Sequence, residues 1–343
     1  MTSNKDQKAI AIWLLICCAT IFAMVVLGGA TRLTGSGLSM VQWEPIMGIL
    51  PPLSQIEWQE TFNLYQQFPE YKIKNYGMTL HEFKAIFWFE YSHRLLGRSI
   101  GMIFFFPMVY FFLRGKVETL LKPKLITMFI LGGLQGLMGW YMVKSGLVAN
   151  PHVSQYRLTA HLALAFIVYA YIFWVAMGLL FPAEEKTTLA DKEVLKKRSL
   201  IISIMVFITV ISGGFVAGLK AGMAYNTFPL MNGQLIPDGL FSLSPAWSNF
   251  FENVTTVQFD HRVLATLLFV SIITFYFTSI RKNPAPRLKL GLNLLLAMLA
   301  IQVTLGISTL LLHVPVALAV AHQAGALLLF TITLFVAQQI RTS

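Results

Sequence analysis

Charge is the scarcest commodity in this sequence. Asp, Glu, Lys and Arg make up 12% of its 343 residues, against about 25% in an ordinary soluble domain. That is too little to cover a water-soluble globule. With 56% hydrophobic residues, the chain is also far from the apolar-poor composition of disorder. Cysteine is nearly absent: Cys17 and Cys18 sit side by side in an apolar run. A disulfide framework and a cysteine metal site are both excluded. Acidic residues are fewer than basic ones, 15 against 26, for a net charge of +11. Nucleic-acid binding is one reading of a basic balance. The basic loops of a membrane protein account for it better, so no nucleic-acid partner is expected.

Long apolar runs are abundant. A helix needs about 20 apolar residues to cross the hydrocarbon core. Eight stretches qualify, near 10–31, 84–113, 124–143, 158–181, 198–219, 259–280, 288–312 and 316–337. The first exceeds a signal-peptide core and lacks a small-residue cleavage site, so it reads as a span. Lipid offers backbone groups no partner, so the spans must be helical. The long connections near 33–83 and 220–258 carry Trp, Pro, Gly and short amphipathic pieces, and read as ordered caps. Of the 26 basic residues, 16 fall at one set of ends, including Lys5, Lys116, Lys196, Lys197, Arg198, Arg281 and Arg341. That places both termini in the cytoplasm and the long connections outside.

The chain repeats itself. Gly28-Gly29 and Gly213-Gly214 each end a span and lie 185 apart. Gly37, Trp43, Pro45 and Met47 follow the first pair; Gly222, Phe228, Pro229 and Met231 follow the second. His93-Arg94 matches His261-Arg262, Gln135 and Gly139 match Gln302 and Gly306, and His161 matches His322. Five matches in the same order indicate duplication. Both halves start on the cytoplasmic side, which makes this a parallel repeat. The expected fold is an all-α polytopic membrane protein, its eight transmembrane helices forming two pseudo-twofold-related four-helix bundles. The expected division is 1–185 and 186–343.

Ionisable groups inside spans are costly and are functional candidates. Four of the seven histidines occupy matched positions: His93 and His161 in one half, His261 and His322 in the other. All four lie near the outer ends of even-numbered spans. A single such histidine can simply hydrogen-bond a neighbour. Two matched pairs have the arrangement that axial ligation of a haem iron requires. His81, His152 and His313 lack repeat partners and read as interfacial. Glu90 lies three residues before His93, on the same helix face; its counterpart beside His261 is Gln258. Arg94 and Arg262 are present in both halves. They suit haem propionates, although interfacial snorkelling is the alternative. Asp260 is assigned no chemistry.

These residues resemble those of the haem A synthases, membrane enzymes that oxidise a methyl group of haem O. The resemblance rests on Gly28-Gly29-Ala30-Thr31-Arg32-Leu33-Thr34-Gly35-Ser36-Gly37-Leu38-Ser39, on Glu90-x-x-His93-Arg94, on Gln135-Gly136-x-x-Gly139 and on the later histidines. It covers essentially the whole chain. It implies a resident haem b on His261 and His322 in the C-terminal bundle, with Arg262 beside it. It implies haem O as substrate near His93, His161 and Arg94 in the N-terminal bundle, and haem A as product for a terminal oxidase. Methyl oxidation removes electrons and protons, and Glu90 is the catalytic candidate for the proton step. Some members carry cysteine pairs in their outer loops; this sequence does not, and it looks closer to the cysteine-lacking branch. No basic, Ser-rich transit segment precedes the first span, so the expected location is the bacterial cytoplasmic membrane, with the haem sites toward its outer face. Candidate partners are a haem O synthase, an electron-transfer partner and a second copy of the chain.

Two other readings use the same features. An electron-transferring cytochrome b would need the same histidine pairs but would retain two haems permanently. A transporter also fits a parallel repeat, but would purify colourless.

Overall fold

A computed structural model describes residues 4–41, 50–146, 153–181 and 192–342. Trp43, Pro45, Met47, His152, Lys186 and the boundary at 185/186 lie outside the described residues. Among the described residues, eight helices are long and apolar enough to cross a membrane: α1 (Asn4–Leu33), α4 (Leu80–Leu113), α5 (Lys122–Gly146), α6 (Gln155–Leu180), α7 (Lys192–Gly218), α9 (Val254–Ile280), α10 (Pro286–Leu311) and α11 (Val316–Thr342). Short helices α2 (Gln55–Tyr65) and α3 (Pro69–Ile73) precede α4, and α8 (Asn249–Glu252) precedes α9. Among the described residues, the only β pairing is a single bridge between Met231 and Gln234.

Most helices run past their apolar segments, because hydropathy marks the lipid-facing stretch and not the helix end. In α4 a capping motif marks the true start. Thr79 and Glu82 form a capping box, in which Thr79 Oγ1 accepts from Glu82 N (3.3 Å) and Glu82 Oε2 accepts from Thr79 N (2.8 Å). Each bond satisfies an otherwise orphaned N–H of a helix start. The first turns of α4 carry Phe83, Phe87 and Tyr91 into an aromatic cluster with Trp58, Phe62 and Tyr65 of α2. The connection after α1 thus contains an ordered, separately packed cap. Asn253 starts α9 in the same way, its Oδ1 accepting from Thr255 N and Thr256 N.

Polar contacts at the ends fix which helix ends lie together. Asp6 pairs with Lys116 at 3.2 Å, and Gln7 Nε2 donates to Glu118 at 2.6 Å. The start of α1 therefore adjoins the α4–α5 turn. At the other end, Arg32 of α1 donates to Ala217 O of α7, and Tyr156 of α6 donates to Glu252 of α8 at 2.8 Å.

Within the first half, α1 packs on α4 and α6, and α5 on α6. Within the second, α7 packs on α9 and α11, and α10 on α11. The halves meet through α6 with α7 and α1 with α11, and through α6 against α11, where Tyr169 bonds Thr331 at 2.8 Å. This pattern is compatible with a pseudo-twofold. The two double glycines open it to close packing. A Cβ on Gly29 would stand 2.9 Å from Oε1 of Gln323 in α11, and one on Gly214 would stand 2.9 Å from Oγ1 of Thr159 in α6. The perimeter is apolar: Phe106 and Leu137 are 64% and 57% exposed, as residues facing hydrocarbon should be.

Candidate functional site

The second glycine of each pair admits the opposite half. The first admits a histidine of its own half. A Cβ on Gly28 of α1 would stand 2.9 Å from His93 Nε2, and one on Gly213 of α7 would stand 3.2 Å from His261 Cε1. The other two histidines repeat the device from a different helix. A Cβ on Gly139 of α5 would stand 3.0 Å from His161 Cε1, and one on Gly306 of α10 would stand 2.8 Å from His322 Cε1. Each of the four matched histidines is half-buried and seated against a glycine. His93 and His161 lie within Coulombic reach of one another, as do His261 and His322. These are the two pairings expected from the repeat. His81 and His313 are exposed.

The helix positions differ from expectation in one respect. His161, His261 and His322 lie six or seven residues into their helices, whereas His93 lies thirteen residues after Leu80. The added turns are those under the aromatic cap.

Neighbouring amides hold two of the rings. Gln135 Nε2 donates to His161 O at 3.1 Å and lies 3.2 Å from its Nδ1. Gln302 Nε2 donates to His322 O at 3.0 Å and lies 3.2 Å from its Nδ1. His261 has a further partner, Ser212 Oγ, 2.7 Å from its Nδ1.

Glu90 and Arg94 form a clamp. Glu90 Oε1 accepts from Arg94 Nε (3.0 Å) and Nη2 (2.5 Å), while Oε2 accepts from Ser39 Oγ and Met40 N, both at 2.7 Å. Arg94 Nη2 also donates to Met40 O at 2.7 Å. In the second half, Gln258 Nε2 and Arg262 Nη2 both donate to Tyr225 O at 3.0 Å. Tyr225 is the repeat counterpart of Met40, 185 positions on. Each pair therefore ties the segment leaving one span to the helix that carries the histidine. The swap of Glu for Gln follows its partners: Glu90 accepts from an N–H and the Ser39 hydroxyl, while Gln258 donates to a carbonyl and Ala224 replaces Ser39. The tethers to Met40 and Tyr225 were not legible as such, since both partners lie in loops distant in sequence.

The donor set fits haem. It supplies two imidazoles per bundle, glycine-lined seats that a Cβ would fill, and no competing cluster of three or more His, Cys, Asp or Glu among the described residues. Arg262 Nε is buried without a partner among those residues, a cation edge suited to a propionate.

Residues 11–334 match the family described as COX15-CtaA, cytochrome oxidase assembly protein. The chain belongs to that family. It is 58% identical over 335 residues to "Heme A synthase" of Nitrosospira multiformis, covering 98% of this chain and 94% of the relative. It is also 46% identical to "Heme A synthase COX15" of Arabidopsis thaliana (98% and 76% covered) and 45% identical to that of Bos taurus (99% and 84% covered). Similarity at this level across bacterial, plant and mammalian members spans all eight helices.

Proposed function

We propose that this chain is a haem A synthase, a membrane oxidoreductase that converts the methyl group of haem O into the formyl group of haem A through an alcohol. The observation that carries the reading is the duplicated histidine–glycine seating, in a chain that relatives bearing that name match over nearly all of its length. The relatives' names do not favour the electron-transfer cytochrome reading.

The two halves take different roles in this reading. In residues 186–343, His261 and His322 would hold a resident haem b, and Arg262 would pair with a propionate. Bound there, haem b supplies a redox centre that can carry electrons away from the substrate. Residues 1–185 receive haem O between His93 and His161, and Gly28 and Gly139 let the rings lie close to their helices. The only acid–amide difference at the matched positions puts the carboxylate in this half.

The clamp narrows what Glu90 does. A carboxylate offers about four lone-pair sites, and Glu90 uses four donors. Its service is therefore an oriented negative charge that opposes positive charge developing on the porphyrin, with Arg94 as its positioning partner. An electrostatic contribution of this type requires no reorganisation during the reaction. The reading also sets the protein in a bacterial cytoplasmic membrane, both termini inside and the haem sites toward the outer face. A haem O synthase, an electron acceptor and a second copy of the chain are its candidate partners.

The test is haem A formation in membranes that make haem O but lack any other haem A synthase. Expression of this chain should produce haem A there. Haem O alone, with the chain present and folded, would contradict the reading.

A further inference from the structure

The two halves differ at the residue before each double glycine. Ser212 precedes Gly213, and Leu27 occupies the matched place before Gly28. Ser212 Oγ stands 2.7 Å from His261 Nδ1 and donates its own proton to Thr209 O at 2.8 Å. A serine hydroxyl has a single proton. With that proton committed to the helix carbonyl, Oγ must accept from Nδ1–H. The imidazole is thereby fixed in the tautomer whose Nε2 carries a free lone pair. In the first half, Met24 offers the same backbone carbonyl as Thr209, but Leu27 stands in place of Ser212, so the hydroxyl of the relay has no counterpart. Among the described residues, no hydrogen bond to the ring of His93 accompanies its glycine contact.

We propose that Ser212 is a positioning residue that locks His261 as a permanent iron ligand, and that its replacement by Leu27 leaves His93 free to bind and release an exchanging porphyrin. The inference rests on the assignment of haem b to His261 and His322, and deepens it. The physical basis is general. A ligating histidine that donates its second N–H to an oxygen is held in orientation and made more basic, and loss of such a partner typically costs 10–100-fold in affinity. One scaffold then serves both a resident cofactor and a substrate that must leave as product.

The experiment uses full-length protein purified with its haem b. Three variants are compared with the parent: Ser212→Ala, Ser212→Thr and His261→Ala. The readouts are the rate of haem b transfer to an excess of apomyoglobin, the low-spin electron paramagnetic resonance g-values and the midpoint potential. Ser212→Ala should lose haem b about tenfold faster or more, with shifted g-values and a higher potential, because a less basic imidazole stabilises ferric iron less. Ser212→Thr keeps the hydroxyl, which in a helix can still reach a preceding carbonyl, and should restore parental behaviour. Parental off-rate, g-values and potential in Ser212→Ala, with haem b lost from His261→Ala, would overturn the role of Ser212 alone. Full haem b retention by His261→Ala would instead overturn the assignment beneath it.

Discussion

The Oε1 atom of Glu90 and the Nη2 atom of Arg94 lie 2.5 Å apart, one helical turn from each other and flanking His93. Both side chains are nearly inaccessible to solvent, so neither charge has water to fall back on. Removing one partner from a buried pair typically costs about 3–5 kcal/mol. Arg94→Ala should therefore lower the yield of folded protein, read by detergent-solubilised size-exclusion chromatography, whereas Arg94→Lys should lower it less.

Glu90→Gln tests charge with little change in shape. The amide keeps one acceptor oxygen for the surrounding donors but leaves Arg94 without its buried counter-charge, so the folded yield should fall, and the haems are compared in the fraction that folds and retains haem b. Without the carboxylate it should accumulate haem O or the alcohol, with haem A reduced about 10²-fold or more, the scale of a removed electrostatic stabiliser. Chromatography of haems from matched amounts of purified protein reads this directly. Normal haem A yield would reduce Glu90 to a structural clamp.

The glycine seats give a matched pair of predictions. Gly306→Ala places a methyl group 2.8 Å from His322 Cε1, and Gly139→Ala places one 3.0 Å from His161 Cε1. Gly306→Ala should weaken the b-type low-spin spectrum. Gly139→Ala should leave that spectrum intact and depress haem A formation. The same defect from both substitutions would contradict a division of labour between the halves.

Much of this was readable beforehand, for physical reasons. Lipid enforces long apolar runs, so the eight helices followed from hydropathy. Duplication exposed the four histidines and the glycines. The repeat did not tell that each first glycine faces its own histidine and each second glycine the opposite half, since helix rotation is settled by packing. The early start of α4 was signalled by the Thr79–Glu82 capping box, which lies outside the apolar window. Arg94 and Arg262 were expected at propionates; in the structure both tether loop carbonyls. Ser212 was missed, although the Leu27-to-Ser212 change beside a matched glycine was visible in the sequence.

The outer cap carries its own pH dependence. Glu70, buried in α3, is pushed up to about 7, chiefly by burial and also by the nearby Glu90 charge, while Lys74 and the Tyr65 hydroxyl pull the other way. A carboxyl raised in the folded state binds its proton there more tightly than in the unfolded chain. Stability therefore falls as pH rises from about 4.5 through about 7. Glu70→Gln should be near neutral at pH 4.5 and stabilising at pH 8, by on the order of 1–3 kcal/mol. The check is hydrogen exchange of the Tyr65–Asn75 amides at both pH values. A benefit that is equal at both would contradict the assigned shift.

The central claim is that one half keeps a haem and the other transforms one. Haem extraction from purified parent, His322→Ala and His93→Ala proteins, each expressed with a haem O source, tests it most directly. The account predicts haem b with haem O and haem A from the parent, loss of haem b from His322→Ala, and haem b without haem A from His93→Ala. Full haem b in His322→Ala, or normal haem A from His93→Ala, would contradict it.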